Sequence, residues 1–322
     1  MRVGIVGCGL IGNKRAAALG GHSLVAVCDR DSARARALAA RVPGAAAVAL
    51  DEVIEKADAV IVATTNDQLA PVAMRAVDAG KHVLVEKPGA RSVAELEPLA
   101  LLAEKRGVTV RVGYNHRFHP AALRAREILD AGGCGPLMFV RARYGHGGRK
   151  GYEREWRADP AVSGGGELID QGVHLIDLAR WYLGDEVADV RGRVVTTYWP
   201  MKVDDNAFLT LTTRGGQIAH LHASCTEWKN LFSFEIYGRD AKLHLEGLGG
   251  SYGVERLSRY QMRAEMGPPD TLIQEYPFSD TSWALEWGDF AAAVSGTQGR
   301  GATLEDALAT LRVVGEAYER CR

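Results

Sequence analysis

Two ionisable side chains lie four residues apart in the stretch 167–174, the carboxylate of Asp170 and the imidazole of His174. Residues 168–183 have the apolar spacing of a helix, so both side chains are expected on one helical face, one turn apart. Histidine titrates near neutral pH, which makes His174 a natural general base that Asp170 would hold in place. The alternatives are a structural polar pair or half of a metal site. Only one histidine lies on this face, which argues against a metal.

A third ionisable side chain, Lys87, follows a predicted strand within the sequence Glu86-Lys87-Pro88. Ligands of open parallel sheets bind beyond the carboxyl ends of the strands, so Lys87 is expected to face a ligand. A protonated lysine there can stabilise negative charge that develops on a substrate oxygen. Pro88 restricts the backbone and could hold a cis peptide bond. A surface turn is the alternative for a lysine followed by proline.

Gly7, Gly9 and Gly12 form the pattern Gly-x-Gly-x-x-Gly between a predicted strand and a predicted helix. There the first glycine permits a tight turn, the second lets the backbone approach a pyrophosphate, and the third allows close helix–strand packing. The helix N-terminus favours the phosphates. Asp29 ends the next strand, where dinucleotide sites carry an acidic residue for the ribose hydroxyls. A glycine-rich turn with Asp29 as a helix cap is the alternative.

The residues around this pattern favour NAD, with NADP kept as an option. The carboxylate of Asp29 would repel the additional phosphate of NADP, whereas Arg30 could pair with that phosphate or stack on adenine. A nicotinamide cofactor exchanges a hydride with a carbinol carbon, and the hydroxyl proton must then be removed as well. His174 as the base and Lys87 as the charge-stabilising group suit that reaction.

The elements that position these residues fall into two predicted domains. Residues 1–118 alternate short apolar strands with helical stretches, which predicts an α/β Rossmann domain with a doubly wound parallel sheet. Residues 119–322 contain helices and, between 189 and 275, successive strands that must pair antiparallel, with hairpin turns predicted at residues 213–216 and 238–240. We therefore predict a C-terminal α+β domain with a large, mostly antiparallel open sheet. Two final helices, near residues 283–295 and 304–318, could pack back on the first domain.

The composition is that of a globular chain, with 322 residues of which 47% are hydrophobic and 25% charged. The 39 basic residues balance 40 acidic ones, which argues against nucleic acid or a membrane surface as a partner. Five scattered cysteines without a Cys-x-x-Cys pair predict reduced thiols. No apolar run could cross a bilayer and the N-terminus departs from a signal peptide, so a cytoplasmic location is expected.

Four motifs occur in order along the chain: Gly7-x-Gly9-x-x-Gly12, Glu86-Lys87-Pro88, Gly113-Tyr114-Asn115-His116-Arg117-Phe118 and Asp170-x-x-x-His174. Over essentially its whole length the chain resembles the glucose–fructose oxidoreductase, inositol dehydrogenase and MocA family (Gfo/Idh/MocA). The resemblance implies an N-terminal Rossmann domain and a C-terminal sheet that often forms the subunit interface. It also implies Lys87, Asp170 and His174 as a catalytic triad. A homodimer or homotetramer formed through that sheet is expected.

The predicted cofactor contacts come from two sources. The glycine motif and the strand after it point to Gly7, Gly9, Leu10, Ile11, Gly12, Asp29 and Arg30. The resemblance implies Thr64, Thr65, Asn66, Glu86 and Asn115, beside Lys87. No metal is predicted. His220 and His222 share a face of a predicted strand, where the resemblance favours subunit contact over a metal pair.

An arginine-rich loop, residues 146–157, precedes the Asp170 helix. Guanidinium groups bind carboxylates and phosphates, so one hypothesis is that this loop recognises an anionic sugar such as a uronic acid or a nucleotide sugar. The alternative is a solvated loop whose Arg154 pairs with Glu153 or Glu155. The candidate substrate contacts are Arg117, Arg149, Tyr152, Trp156 and Arg157.

Three kinds of activity remain open on the sequence. The first is hydride transfer between NAD(P) and a carbinol or keto carbon of a sugar, sugar acid, nucleotide sugar or cyclic polyol, or of a non-sugar such as a diol or imine. The second is redox-neutral chemistry, in which tightly bound NAD oxidises the substrate transiently to allow elimination or glycoside cleavage. The third is a non-catalytic NAD-binding sensor, which would be expected to lack a member of the triad.

Overall fold

The computed structural model describes residues 1–322, which form two compact units. The first unit comprises Met1–Asn115, Ala161–Gly164 and Trp283–Leu311. The second comprises His116–Pro160, Gly165–Ser282 and Arg312–Arg322. Each unit is therefore assembled from separate stretches of the chain, and the stretch after residue 282 contributes to both.

The first unit contains a six-stranded parallel sheet in the order β3-β2-β1-β4-β5-β6. Its elements in chain order are β1 (Arg2–Val6), α1 (Leu10–Ala17), β2 (Ser23–Cys28), α2 (Ser32–Ala39), β3 (Ala46–Ala47), α3 (Leu50–Lys56), β4 (Ala59–Val62), α4 (Asn66–Asp78), β5 (His82–Glu86), α5 (Val93–Arg106) and β6 (Val110–Gly113). The strand order reverses between β1 and β4. The doubly wound parallel sheet is thereby confirmed, and its ligand crevice is expected beyond the carboxyl ends of β1 and β4.

The remaining elements follow in chain order. They are α6 (Pro120–Asp130), β7 (Leu137–Gly145), α7 (Pro160–Ser163), α8 (Val173–Leu183), β8 (Val187–Val195), β9 (Asn206–Thr213), β10 (Ile218–Ser224), β11 (Leu231–Gly238), β12 (Ala241–Glu246), β13 (Glu255–Gln261), β14 (Asp270–Tyr276), α9 (Ser282–Val294) and α10 (Leu304–Arg320). No helix combines the length and the apolar composition that a membrane span requires.

Strands of the first unit form because their apolar residues are buried on both faces. All four residues of β4 are buried, as are the last four of β1. Neither β3 nor α3 was predicted from the sequence. Helix α4 starts at Asn66 and contains Pro71, although proline favours the first turn of a helix. Burial of Leu69 and Ala70 ahead of the proline stabilises this helix, because packing there compensates for the hydrogen bond that Pro71 cannot donate.

Helix α9 contributes to the core of the first unit. Trp287 and Phe290 belong to the same buried cluster as Ile5 and Val27 of the parallel sheet. The indole nitrogen of Trp287 donates a hydrogen bond of 3.1 Å to the carbonyl oxygen of Leu19. Residues distant in sequence are thus required to complete this core.

The second unit contains an eight-stranded sheet in the order β14-β13-β12-β11-β7-β10-β9-β8. All neighbours pair antiparallel except β7 and β10, which are parallel. The predicted mostly antiparallel sheet is confirmed, and so are its two hairpin connections, β9–β10 and β11–β12. The parallel pair was not predicted because β7 and β10 are not consecutive strands.

One face of this sheet is covered by helices. Helix α8 packs on β7 and β10, while α6 packs on β13. Along β7, Val140 and Ala142 point into this core, while Phe139 and Arg141 lie on the opposite, exposed face. Phe208 of β9 is also exposed on this opposite face, where its ring stacks on that of His222.

Candidate active site

The glycine-rich turn between β1 and α1 leaves no room for a side chain at two of its three glycines. A Cβ atom on Gly7, whose φ is +96°, would lie 2.3 Å from the carbonyl oxygen of Ala63. A Cβ atom on Gly12 would lie 1.9 Å from the carbonyl oxygen of Gly7. At Gly9, by contrast, no atom lies within 4 Å of the position that a Cβ atom would take. The open space at Gly9 faces the N-terminus of α1, so these residues fit the pyrophosphate of a dinucleotide.

Polar side chains support this turn. The amide nitrogen of Asn13 donates to the carbonyl oxygens of Cys8 (2.9 Å) and Gly9 (2.7 Å). The carboxylate of Asp29 accepts hydrogen bonds from the backbone nitrogens of Cys8 (2.6 Å) and Asp31 (2.8 Å). Asp29 therefore lies at the turn and holds it, while its contact with the ribose of a dinucleotide stays a prediction. Asn13 was not predicted from the sequence, although its place one turn into α1 could have indicated a role in the glycine-rich turn.

The other residues around the turn take separate places. Leu10 and Ile11 begin α1, and the Leu10 side chain is 75% exposed. Arg30 is exposed after β2. The cap of α2 is Asp31, whose side chain accepts from the backbone nitrogen of Ala33. The alternative in which Asp29 serves as the helix cap is therefore not supported.

Alanine substitutions at Gly9 and Gly12 are expected to have different effects. Gly12→Ala should lower the free energy of unfolding by about 1–3 kcal/mol, because its Cβ atom overlaps the Gly7 carbonyl. Gly9→Ala should leave stability nearly unchanged, since φ is −73° and the site is open, yet weaken NAD binding at least about tenfold. Urea unfolding without nucleotide and NAD titration by calorimetry measure the two effects. Unchanged NAD affinity in Gly9→Ala, or wild-type stability in Gly12→Ala, would contradict the assignment.

Three polar residues follow β4 at the same edge of the parallel sheet. The hydroxyl of Thr64 donates to the carbonyl oxygen of Thr65 at 3.2 Å, and the hydroxyl of Thr65 donates to Asp67 at 2.6 Å. Asn66 is buried and donates to the carbonyl oxygen of Ser163 at 2.8 Å. The predicted cofactor residues of this segment are thus held in place at the carboxyl end of β4.

The Glu86-Lys87-Pro88 segment ends β5 and contains a cis peptide bond between Lys87 and Pro88. Glu86 is buried, and its carboxylate accepts a hydrogen bond of 2.6 Å from Nε of Arg15. The Nη1 atom of Arg15 lies 2.6 Å from the carboxylate of Glu286 on α9. Burial raises the pKa of Glu286 to about 7. This buried ionic cluster supports the backbone that precedes Lys87, which is itself half-buried.

Neither Arg15 nor Glu286 was predicted from the sequence. A buried arginine on α1 could have been suspected from its place on the inner face of that helix, but its partners are far away in sequence. Asn115, the last predicted cofactor residue, is buried at the start of a 3-10 turn, Asn115–Phe118.

Asp170 and His174 are both buried in the second unit, next to an irregular helical turn. Residues Leu168–Gly172 form a π-helix, and His174 lies in the first turn of α8. The regular helix predicted over residues 168–183 is therefore wrong in its first turn. Insertions of this kind widen the helix and occur frequently at functional sites. The ring of His116 lies 3.7 Å from that of His174, measured between centroids. No role for His116 was predicted from the sequence.

The backbone before the π-helix is held by Asp204. Its carboxylate accepts hydrogen bonds from the backbone nitrogens of Gly166 (2.9 Å) and Leu168 (2.8 Å) and from the hydroxyl of Tyr318 (3.0 Å). A Cβ atom on Gly165 would lie 2.0 Å from that hydroxyl oxygen. The small size of Gly165 therefore allows close internal packing against Tyr318.

The candidate substrate arginines are engaged with carboxylates. Arg117 is buried and donates to both oxygens of Asp177, at 2.8 and 2.6 Å, which supports a structural role. Arg149 lies 2.7 Å from Glu155. Arg157 donates from Nε to Asp170 at 2.9 Å.

The rest of the arginine-rich loop is folded into short 3-10 turns. Tyr152 is buried in the turn Tyr152–Arg154, and Trp156 begins the turn Trp156–Ala158. Arg154 lies 3.4 Å from Glu153, with its side chain 82% exposed. This pairing agrees with the alternative of a solvated loop.

The two histidines of β10 have other partners. Nδ1 of His220 lies 3.2 Å from the hydroxyl of Thr210. Nε2 of His222 lies 3.0 Å from the side-chain oxygen of Asn206, and its ring stacks on Phe208 at 4.1 Å between centroids. Across residues 1–322, no group of three His, Cys, Asp or Glu side chains is arranged to hold a metal ion.

Comparison with known proteins matches both halves of the chain to one family. Residues 1–114 match "Oxidoreductase family, NAD-binding Rossmann fold", and residues 122–244 match "GFO/IDH/MocA C-terminal domain". A dTDP-3,4-didehydro-2,6-dideoxy-alpha-D-glucose 3-reductase from Streptomyces violaceoruber is 32% identical, covering 97% of this chain and 92% of that protein. Inositol 2-dehydrogenase 2 from Saccharopolyspora erythraea is 28% identical, with coverages of 97% and 91%.

A solved structure shares the same architecture. GenD2 from gentamicin A biosynthesis, in complex with NAD, superposes with a TM-score of 0.84 at 26% identity, covering 99% of this chain and 93% of that one. The glycine-rich turn, the parallel sheet and the large mostly antiparallel sheet are all within the matched residues. The chain belongs to the GFO/IDH/MocA family of NAD-binding oxidoreductases.

Proposed function

We propose that this protein transfers a hydride between NAD and a carbinol or keto carbon of a sugar, a sugar derivative or a cyclic polyol. The observation that carries the proposal is the burial of Asp170, on the π-helix, and of His174, in the first turn of α8, in a chain of an NAD-binding oxidoreductase family. The names of two similar proteins, an inositol dehydrogenase and a nucleotide-sugar reductase, support a polyhydroxylated substrate.

The catalytic roles proposed for the chain concern the proton and the charge. His174 accepts the hydroxyl proton as the carbinol carbon is oxidised. Asp170 orients His174 and supplies a negative charge beside it. Lys87, when protonated, stabilises the negative charge that develops on the substrate oxygen. The bound cofactor supplies the hydride acceptor.

We propose a neutral substrate rather than an anionic one. Arg149 and Arg157 are both paired with carboxylates, so part of the positive charge that either could offer an anionic substrate group is already neutralised. Arg117 is likewise occupied by Asp177. These pairings support a neutral sugar or cyclic polyol over a uronic acid or a nucleotide sugar.

The cofactor choice, assembly and location are also proposals. The carboxylate of Asp29 supports NAD over NADP. The exposed apolar residues Phe139, Phe208 and Ile218 support a homodimer or homotetramer through that face of the large sheet. All five cysteines are free thiols, which supports a reducing compartment such as the cytoplasm.

A substrate screen tests the proposed function. Purified protein is mixed with NAD⁺ and a panel of inositols, free hexoses, uronic acids and nucleotide sugars, and the absorbance of reduced nicotinamide is followed. We expect NADH formation with at least one neutral member of the panel. Turnover without added NAD and without net absorbance change would instead indicate redox-neutral chemistry. NAD binding without turnover of any compound would indicate a sensor.

A further inference from the structure

Arg157 makes a direct ionic contact with Asp170. Its Nε atom donates to Oδ2 of Asp170 at 2.9 Å, and its guanidinium stacks over the ring of Trp156 at 4.6 Å from the centroid. The Asp170 side chain is only 11% exposed and that of Arg157 is 34% exposed. A charge-assisted hydrogen bond in such a partly dry setting is stronger than a surface ion pair. Arg157 lies in a turn of the loop, whereas Asp170, whose carboxylate it contacts, lies on the π-helix.

Other titratable groups also face Asp170. Tyr144 on β7, His146 and Tyr152 in the loop after it, Cys225 after β10 and Tyr252 after β12 all interact electrostatically with this carboxylate. Burial raises the pKa of the four tyrosine and cysteine side chains and lowers the pKa of His146. These five groups are consequently neutral near pH 7.

The nearby carboxylates add negative charge. Glu167 is buried next to Asp170, with an oxygen 3.7 Å from Nε2 of His146. Glu155 lies 3.8 Å from Nη1 of Arg157 on the loop side. Arg157 therefore sits among carboxylates, and the interaction with Asp170 is the largest electrostatic cause of the raised pKa of Arg157.

We propose that Arg157 is a positioning residue, which keeps Asp170 ionised and aligned next to His174. The inference rests on the proposed function, since it takes Asp170 and His174 to carry the reaction. Arg157 acts through Asp170 and need not touch the substrate. The charge state of Asp170 on the π-helix thus depends on the folded conformation of the turn Trp156–Ala158.

Removing the positive charge of Arg157 is expected to change the protonation of Asp170 and of His174 in the same direction. Removing a cation favours the protonated forms of both Asp170 and His174, because each protonated form carries more positive charge than its deprotonated form. Both changes move the acidic limb of the pH profile of kcat/KM to higher pH. A neighbouring arginine typically changes the pKa of a carboxyl by about 1–3 units, so a shift of at least about one pH unit is expected.

Three variants test this inference, assayed with the neutral sugar or inositol that the wild type turns over fastest and with any anionic sugar of the panel that it also turns over. Arg157→Gln should lower kcat and shift the acidic limb upwards by about one unit, with NAD affinity unchanged. Arg157→Lys keeps the charge and should restore the wild-type limb while kcat stays below that of the wild type. Arg154→Gln, which removes an exposed arginine of the same loop, serves as the matched control and should match the wild type.

The outcomes separate the inference from the proposed function. A wild-type pH limb in Arg157→Gln, or an equal shift in Arg154→Gln, would overturn the positioning role. A rise in KM confined to anionic sugars would also overturn it, because it would show a substrate contact. Failure of the proposed function would look different, since the wild type itself would turn over no member of the panel. If Arg157→Gln does not fold, a shifted limb in Arg157→Lys alone decides against the inference.

Discussion

Replacing His174 by alanine is expected to lower kcat by about 10²–10⁴-fold, the usual contribution of a general base. Without the imidazole, the hydroxyl proton has no positioned acceptor while the carbinol carbon is oxidised. Lys87→Ala should cause a comparable loss, because charge on the substrate oxygen is then no longer stabilised. NAD affinity should remain close to that of the wild type in both variants. Steady-state kinetics with the best substrate of the screen and calorimetric NAD titration measure the two quantities.

A matched control separates this loss from a general effect of removing charge. Lys105 is exposed on α5 of the same unit as Lys87, so Lys105→Ala should keep full activity. Thermal unfolding of each variant shows whether its fold is retained. Full activity in His174→Ala or in Lys87→Ala would be incompatible with the proposed catalytic roles.

Replacing Arg15 by methionine is expected to lower the free energy of unfolding by about 3–5 kcal/mol. The Arg15 side chain is fully buried, and it pairs with Glu86 and Glu286 at 2.6 Å each. Its removal leaves two buried carboxylates without their cation. The space beside the Arg15 guanidinium is tightly packed, because a Cβ atom on Gly113 would lie 2.7 Å from Nη2 of Arg15. Urea unfolding measures the loss, and a change below about 1 kcal/mol would contradict this account of the cluster.

The same cluster makes stability depend on pH. The pKa of Glu286 is raised from 4.5 to about 7 in the folded protein, so the folded state binds its proton more tightly than the unfolded chain. This stabilisation is fully present below about pH 4.5 and is lost as the pH rises through 7. Glu286→Gln should remove this part of the dependence, up to about 3 kcal/mol between pH 4 and pH 8. Glu275→Gln, at an exposed pair with Arg256, is the control and should retain it.

Features with a local physical cause could be predicted from the sequence. Continuous apolar runs predicted the buried strands β1 and β4, and turn residues predicted the hairpin between β9 and β10. The glycine spacing predicted the turn after β1, where the backbone itself fills the space that side chains would need. In each case a short stretch of chain contains the whole cause.

The missed features depend on residues that are far apart in sequence. Arg15 lies on α1 and its partner Glu286 lies on α9, near the other end of the sequence, and no local pattern indicates such a pairing. The role of Arg157 was predicted from its chemistry alone, which suits a carboxylate of the substrate as well as one of the protein. Its actual partner, Asp170, depends on how the loop folds. The backbone at the start of the π-helix is likewise held by Asp204, a residue that is distant in sequence.

The hydroxyl of Tyr318 on α10 bonds to Asp204, and the carbonyl oxygen of Cys321 accepts a hydrogen bond of 2.7 Å from Val194. Tyr318 therefore helps, through Asp204, to hold the backbone that precedes Asp170. A substitution on α10, far from Asp170 in sequence, is thus expected to alter the geometry around this carboxylate.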